Sequence, residues 1–160
     1  MAVVLSGLVL WLALCLIAAA VGASASLQAG TFYAELVRPL WAPPAAVFGP
    51  VWTLLYVMMA VAASLVWQRR GTQLARIALA MFVLQLILNA LWSWLFFGWN
   101  QGALSLVDIV FLWALIVATL VLFWRIRPSA GMLLVPYLGW ITFASVLNYQ
   151  IWQLNPSLLG

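Results

Sequence analysis

Histidine and lysine are absent from this chain of 160 residues, cysteine occurs once and acidic side chains twice. Each absence removes a class of chemistry. Without an imidazole there is no general base of the usual kind for a serine triad, and no strong haem or zinc ligand set. Cys15 alone cannot form an intrachain disulfide or a thiolate cluster. No glycine-rich loop is present to cradle a phosphate, which argues against ATP-driven transport by this chain alone. Six arginines against Glu35 and Asp108 leave a net charge of +4, yet they form no cluster able to follow a phosphate backbone, so nucleic acid is not an expected partner. Charged residues make up only 5% of the chain, against about 25% in soluble domains. Hydrophobic residues reach 69% and mean hydropathy is +1.21, which excludes intrinsic disorder and a soluble globular domain. What remains is an integral membrane protein, and no cofactor is expected.

The charges cut the chain into neutral runs over 1–34, 39–68, 77–107, 109–124 and 128–160. A spanning helix needs about 20 apolar residues, rising 1.5 Å each. Turn residues at Gly71, at 98–102 and at Arg127-Pro128-Ser129 refine the cuts. The predicted fold is an all-α bundle of five transmembrane helices forming a single domain over 1–160, at about 3–26, 45–67, 73–97, 102–124 and 130–154. Unbroken runs of this length are not the alternating strands of a β-barrel. Ala23-Ser24-Ala25 resembles a signal cleavage site, but no basic residue precedes the apolar run, so a retained first helix is expected.

Only the connection from about Gln28 to Pro44 is long, longer than a hairpin between helices needs. It carries Glu35, Arg38, Trp41 and Pro43-Pro44, and either an ordered connector or a lid over a pocket mouth is expected there, the lid being favoured. Arg69, Arg70, Arg76, Arg125 and Arg127 flank the short loops on one side, with Arg38 alone on the other. The positive-inside rule then puts the N-terminus in the cytoplasm and the long loop and C-terminus outside.

Polar side chains within apolar runs are the informative ones. Gln85 and Asn89 lie one helical turn apart, and Trp92 and Phe96 extend the same stripe. An amide left unpaired in hydrocarbon costs a few kcal/mol, so each faces a helix, a ligand or water. Glue between helices is favoured for Gln85; for Asn89 a ligand role is as well supported. Asp108, roughly 9 Å along the fourth helix, is expected to be a structural carboxylate bonded to a neighbouring helix. Of eleven tryptophans, those at helix ends fit the aromatic belts of any membrane protein. Trp52, Trp92 and Trp140 fit it less well; Trp140 lies ~21 Å from the outer end of the fifth helix. Trp52 precedes Tyr56 by one turn. A mostly apolar cavity with few polar anchors, suited to a planar ligand, is the resulting hypothesis.

Several motifs carry a resemblance. They are 38–44 (Arg38-Pro-Leu-Trp41-Ala-Pro-Pro44), 47–56 (Val47 to Tyr56 through Gly49-Pro50-Val51-Trp52), and Gln85-x-x-x-Asn89-x-x-Trp92-x-x-x-Phe96-Phe97-Gly98. Pro136-Tyr137-Leu138-Gly139-Trp140 and the stretch from Ala144 to Asn155 complete them. Together they resemble the translocator protein / tryptophan-rich sensory protein family over about Phe32 to Pro156. The resemblance implies a five-helix bundle, commonly a homodimer in the lipid bilayer, that binds porphyrins such as protoporphyrin IX, and in some members haem, sterols or drug-like aromatics. By position, Trp52 and Trp140 match tryptophans linked in bacterial relatives to light-dependent porphyrin breakdown. Tyr56, Asn89, Trp92, Ala144 and Leu147 match positions lining the family's pocket. With Trp41 from the connection and Phe96 from the stripe, the candidate ligand contacts are Trp41, Trp52, Tyr56, Asn89, Trp92, Phe96, Trp140, Ala144 and Leu147. Two departures stand out. Tyr149 is followed by Gln150-Ile151-Trp152-Gln153 with no basic residue, so the animal cholesterol motif is incomplete. Ala45-Ala46 stands where members of that family often carry a basic and an aromatic residue, which leaves Arg38 as the nearest candidate partner for a propionate.

The function expected is that of a membrane receptor and regulator binding porphyrin, with light-dependent degradation as a secondary activity. A porphyrin transporter and a ligand-free structural protein are the alternatives.

Overall fold

The computed structural model describes residues 2–27 and 29–160. Among them there are five helices long and apolar enough to cross a membrane, spanning Leu5–Ala25, Ala45–Trp67, Gln73–Gly98, Gly102–Ile126 and Pro128–Leu154. We label the helices α1 (Ala2–Ala25), α2 (Ala29–Glu35), α3 (Phe48–Trp67, preceded by a single 3-10 turn at Ala45–Val47), α4 (Gln73–Ser93), α5 (Gly102–Ile126), α6 (Pro128–Leu154) and α7 (Pro156–Leu159). No strand occurs among the described residues. The protein is an all-α integral membrane protein.

Local chemistry sets the helix ends. Thr72 Oγ1 accepts the Ala75 amide at 3.2 Å and caps α4, a contact of the kind worth ~1 kcal/mol. α6 starts at Pro128, two residues before the sequence expectation, because a first-turn proline gives up only an N–H that has no helical partner. α4 does not run straight into its loop. Residues Trp94–Gly98 form a wider turn closed by the Trp99 amide on the Trp94 carbonyl at 2.8 Å. Asn100, at φ +54°, then reverses the chain in the left-handed region that asparagine tolerates.

Around the bundle α1 packs on α3, α3 on α6, α6 on α5, α5 on α4 and α4 on α1. Arg127 donates to Gln68 Oε1 at 3.1 Å, which brings the α3–α4 and α5–α6 turns to one end. The connection after α1, the α4–α5 turn and the C-terminus share the other end. There Asn148 Nδ2 donates to the Gly102 carbonyl at 3.3 Å, and Gly102 faces Trp152 so closely that a Cβ would lie 2.5 Å from its Cδ1. We call these the arginine end and the connector end.

The arginine end is filled. Trp11 meets Trp67 edge-on at 5.9 Å and Phe82 edge-on at 5.5 Å, and Phe82 stacks on Phe123 at 5.7 Å. Ala60, Ala63, Ala75, Ala78 and Ala130 are fully buried and let the helices close on these rings. Lipid tails are as apolar as these side chains, so the adhesion comes from dispersion and fit rather than from removal of water.

Candidate functional site

Toward the connector end the same helices do not close. A cavity of about 520 Å³ lies between α1, α3, α4 and α6, beneath α2. α3 supplies Trp52 and Tyr56, one turn apart, with their rings 5.7 Å apart. α4 supplies Asn89, Trp92, Ser93 and, from its terminal turn, Phe97. α6 supplies Trp140 and Ala144. α1 contributes Leu12, Cys15, Leu16, Ala19, Gly22, Ala23 and Ser26, a stripe at three- and four-residue spacing. Ala29, Gly30 and Tyr33 of α2 and Ala45 and Phe48 at the start of α3 form the roof.

The polar atoms of the wall are few and mostly committed. Tyr56 Oη donates to Asn89 Oδ1 at 2.6 Å, and Asn89 Nδ2 donates to Tyr137 Oη at 3.0 Å. This chain ties α3, α4 and α6 together at the cavity floor, so Asn89 both bonds helices and faces the cavity. Trp92 Nε1 donates to Asn148 Oδ1 at 2.9 Å, which fixes the plane of its indole. Phe96 stacks behind it at 5.4 Å and 15°. Trp140 differs: its ring packs against Phe48 at 5.8 Å and Phe143 at 5.4 Å, while its buried Nε1 has no hydrogen-bond partner among the described residues. A buried donor without an acceptor is costly, and here it sits on a cavity wall.

Six of the nine candidate contacts line the cavity: Trp52, Tyr56, Asn89, Trp92, Trp140 and Ala144. Three do not. Trp41 is half-exposed, with its ring against Phe143 at 5.7 Å. Phe96 and Leu147 are buried in a second cluster with Tyr33, Leu36, Ile151 and Leu159, behind the wall rather than on it. Gln85 and Asp108 differ from expectation. Gln85 is fully buried, but neither amide atom has a partner, and Asp108 Oδ2 is likewise buried and unpaired among the described residues.

Gln28, where the long connection is expected to begin, lies outside the described residues; residues 29–44 form an ordered roof. Tyr33 is buried and its Oη donates to the Pro43 carbonyl at 3.0 Å. Arg38 stands 4.8 Å over the Tyr33 ring. Burial raises the Tyr33 pKa above its ordinary value, and Arg38 partly offsets the rise. Asn155, at the end of α6, holds the next residues from both sides. Its Oδ1 accepts the Val37 amide and its Nδ2 donates to the Val37 carbonyl, each at 2.8 Å. Tyr33, Tyr137 and the α1 wall are not read as cavity residues from the sequence. Tyr137 had a detectable signal, since it belongs to the buried stripe Tyr137, Ile141, Ala144, Asn148 at helical spacing.

A polytopic membrane protein built round an aromatic-walled internal cavity is the class these features define. Residues 10–153 match the TspO/MBR family. The chain is 43% identical over 157 residues to the tryptophan-rich protein TspO of Chlorobaculum tepidum, covering 92% of this chain and 98% of that protein. It is 40% identical over 131 residues to the human translocator protein, covering 81% and 78% of the two chains. It is 39% identical over 141 residues to the tryptophan-rich sensory protein of Cereibacter sphaeroides, covering 86% and 87%. The chain belongs to the TspO/MBR family.

Proposed function

We propose that this protein is a membrane receptor and regulator of tetrapyrrole level that binds protoporphyrin IX, and other flat hydrophobic molecules, in the intrabundle cavity. The observation that carries the reading is the unpaired Trp140 indole N–H on the wall of an aromatic cavity of about 520 Å³, a volume within the ~300–1,000 Å³ range of small-molecule sites. Trp52, Trp92 and Trp140 offer ring faces to a macrocycle, and Trp140 Nε1 offers a donor to one of its acceptors. Tyr56 and Asn89, already bonded to each other, hold the floor rigid. Phe96 and Leu147 support the wall from behind, and Arg38, beside Tyr33 at the roof, is the nearest cation for a propionate. By charge bias the arginine end faces the cytoplasm, and the working unit is a homodimer in the bilayer.

Titration of the purified protein in lipid nanodiscs with protoporphyrin IX, followed by indole fluorescence, tests the reading. Saturable quenching that weakens at least tenfold in Trp140→Ala is expected. Quenching that never saturates would instead favour a ligand-free structural protein. Porphyrin flux into sealed vesicles would favour a transporter.

Light-dependent porphyrin breakdown is a second reading, favoured by Trp52 and Trp140 lining one cavity. An excited porphyrin there passes its energy to dioxygen, and the singlet oxygen so formed adds to the macrocycle; or it takes an electron from an indole and passes it on to dioxygen, leaving an indole radical cation and superoxide. Equal bleaching rates in wild type and Trp140→Phe would remove Trp140 from such chemistry.

A further inference from the structure

The cavity is not sealed on every side, and one of its open sides lies between two spanning helices. At the arginine end α1 is locked to α3: a Cβ on Gly7 would lie 2.7 Å from Trp67, and Trp11 meets the same ring at 5.9 Å. Toward the connector end α1 leans on α4 instead. Trp94 Nε1 donates to the Val21 carbonyl at 3.1 Å, and a Cβ on Gly22 would meet Ser93 Oγ at 3.2 Å. α1 and α3 therefore part along the cavity. Leu16 and Ala23 on one side and Gly49, Thr53 and Val57 on the other are both cavity wall and exposed surface. Leu16 is 62% and Val57 46% exposed, and a Cβ on Gly49 would meet nothing within 4 Å.

We propose that this crevice between α1 and α3 is a lateral portal through which the ligand enters from the hydrocarbon of the bilayer. The proposal rests on the ligand-binding reading above and adds where the ligand comes from. Two further observations favour it. The lips offer lipid no unpaired hydroxyl, because Thr53 Oγ1 donates to the Gly49 carbonyl at 2.9 Å. A flat apolar molecule crossing them strips no polar group of a partner. The roof, by contrast, is fastened by Tyr33 on Pro43 and by both bonds of Asn155 to Val37, so passage from water has to break three hydrogen bonds. The ligand class that fits is a planar amphiphile that partitions into membranes before it binds.

The test is stopped-flow quenching by protoporphyrin IX of the full chain in vesicles, with Leu16→Trp, Val57→Trp and the double variant narrowing the lips, and Asn155→Ala loosening the roof. The portal requires dissociation as well as association to slow, association by about tenfold in the double variant, since a wall that had merely lost affinity would release the ligand faster. It also requires the wild-type association rate to fall in proportion when empty lipid dilutes the ligand in the same membrane, and Asn155→Ala to leave that rate within about twofold. Unchanged rates in the lip variants, faster association in Asn155→Ala, or lost affinity with unchanged association would each overturn the portal while leaving ligand binding intact. Absence of saturable binding in wild type would overturn the binding reading and the portal with it.

Discussion

The two ends of this bundle use the same helices and the same residue types, and one is solid where the other is hollow. At the arginine end Trp11, Trp67, Phe82 and Phe123 interlock edge and face across α1, α3, α4 and α5, with fully buried alanines between them. At the connector end Trp52, Trp92 and Trp140 stand round a space of about 520 Å³. The difference lies in what holds each ring. In the solid half these four rings grip one another. In the hollow half polar bonds and backing aromatics hold the rings from behind: Asn148 on Trp92 Nε1, Phe96 stacked beneath Trp92, Phe48 and Phe143 against Trp140. A cavity in a membrane protein thus persists when its wall is braced from outside, because neighbouring lipid gives no hydrophobic drive to collapse it.

Substitutions that exchange the character of the two halves should separate them. The largest effect is expected for Phe82→Ala, which opens a void among buried neighbours; a loss of about 3 kcal/mol or more in a refolding or thermal assay is expected, with Trp52→Ala costing far less stability but most of the porphyrin affinity. Enlarging small residues should give the opposite contrast. Ala63→Leu, at zero exposure, overpacks the solid half and costs ~1–3 kcal/mol. Ala144→Leu projects into the cavity, so its thermal midpoint should hold while porphyrin binding falls at least tenfold; equal destabilisation by the two would mean the connector end is as tightly filled as the other. Tyr137→Phe removes the acceptor of Asn89 Nδ2 and should cost about 1 kcal/mol, with a small loss of affinity as the floor loosens. The smallest effect concerns pH. Because burial raises the Tyr33 pKa, the neutral phenol is favoured in the folded protein. Its contribution to stability is whole below the unfolded value near 10 and is lost as pH rises through the higher folded value, with the Pro43 bond. Roof opening measured by amide exchange at residues 37–43 should therefore be flat through neutral pH and rise only in strong alkali; Tyr33→Phe should abolish that dependence.

The spans were legible because a stretch of some 20 apolar residues has only one common fate in a bilayer. The Tyr56–Asn89 pairing was foreshadowed by the stripe Gln85, Asn89, Trp92, Phe96, since a mid-membrane amide has to face something polar. The α1 wall was not legible. Leu12, Cys15, Leu16 and Ala19 are apolar whether they face lipid or cavity, so periodicity carries no information about which side they serve. α2 was hidden for another reason: seven residues are too few to show a helical period, and it is Tyr33 packing on Phe48 at 5.5 Å that holds it. Trp41 drew attention as an aromatic in a long loop, but Asn155, a polar residue near the chain's end, fastens the roof. Gln85 and Asp108 read as glue from sequence, and no feature of their neighbours' sequence betrays that their buried atoms stay unpaired.

The most direct measurement of the central claim is an electron-density map of the protein in lipid with protoporphyrin IX bound. The account requires the macrocycle between Trp52, Trp92 and Trp140, with one of its acceptors within hydrogen-bonding distance of Trp140 Nε1. Density for the porphyrin only outside the bundle, as in the apolar groove between α1 and α4 lined by Ala18, Val21, Leu86 and Ala90, with the interior unfilled, would contradict it.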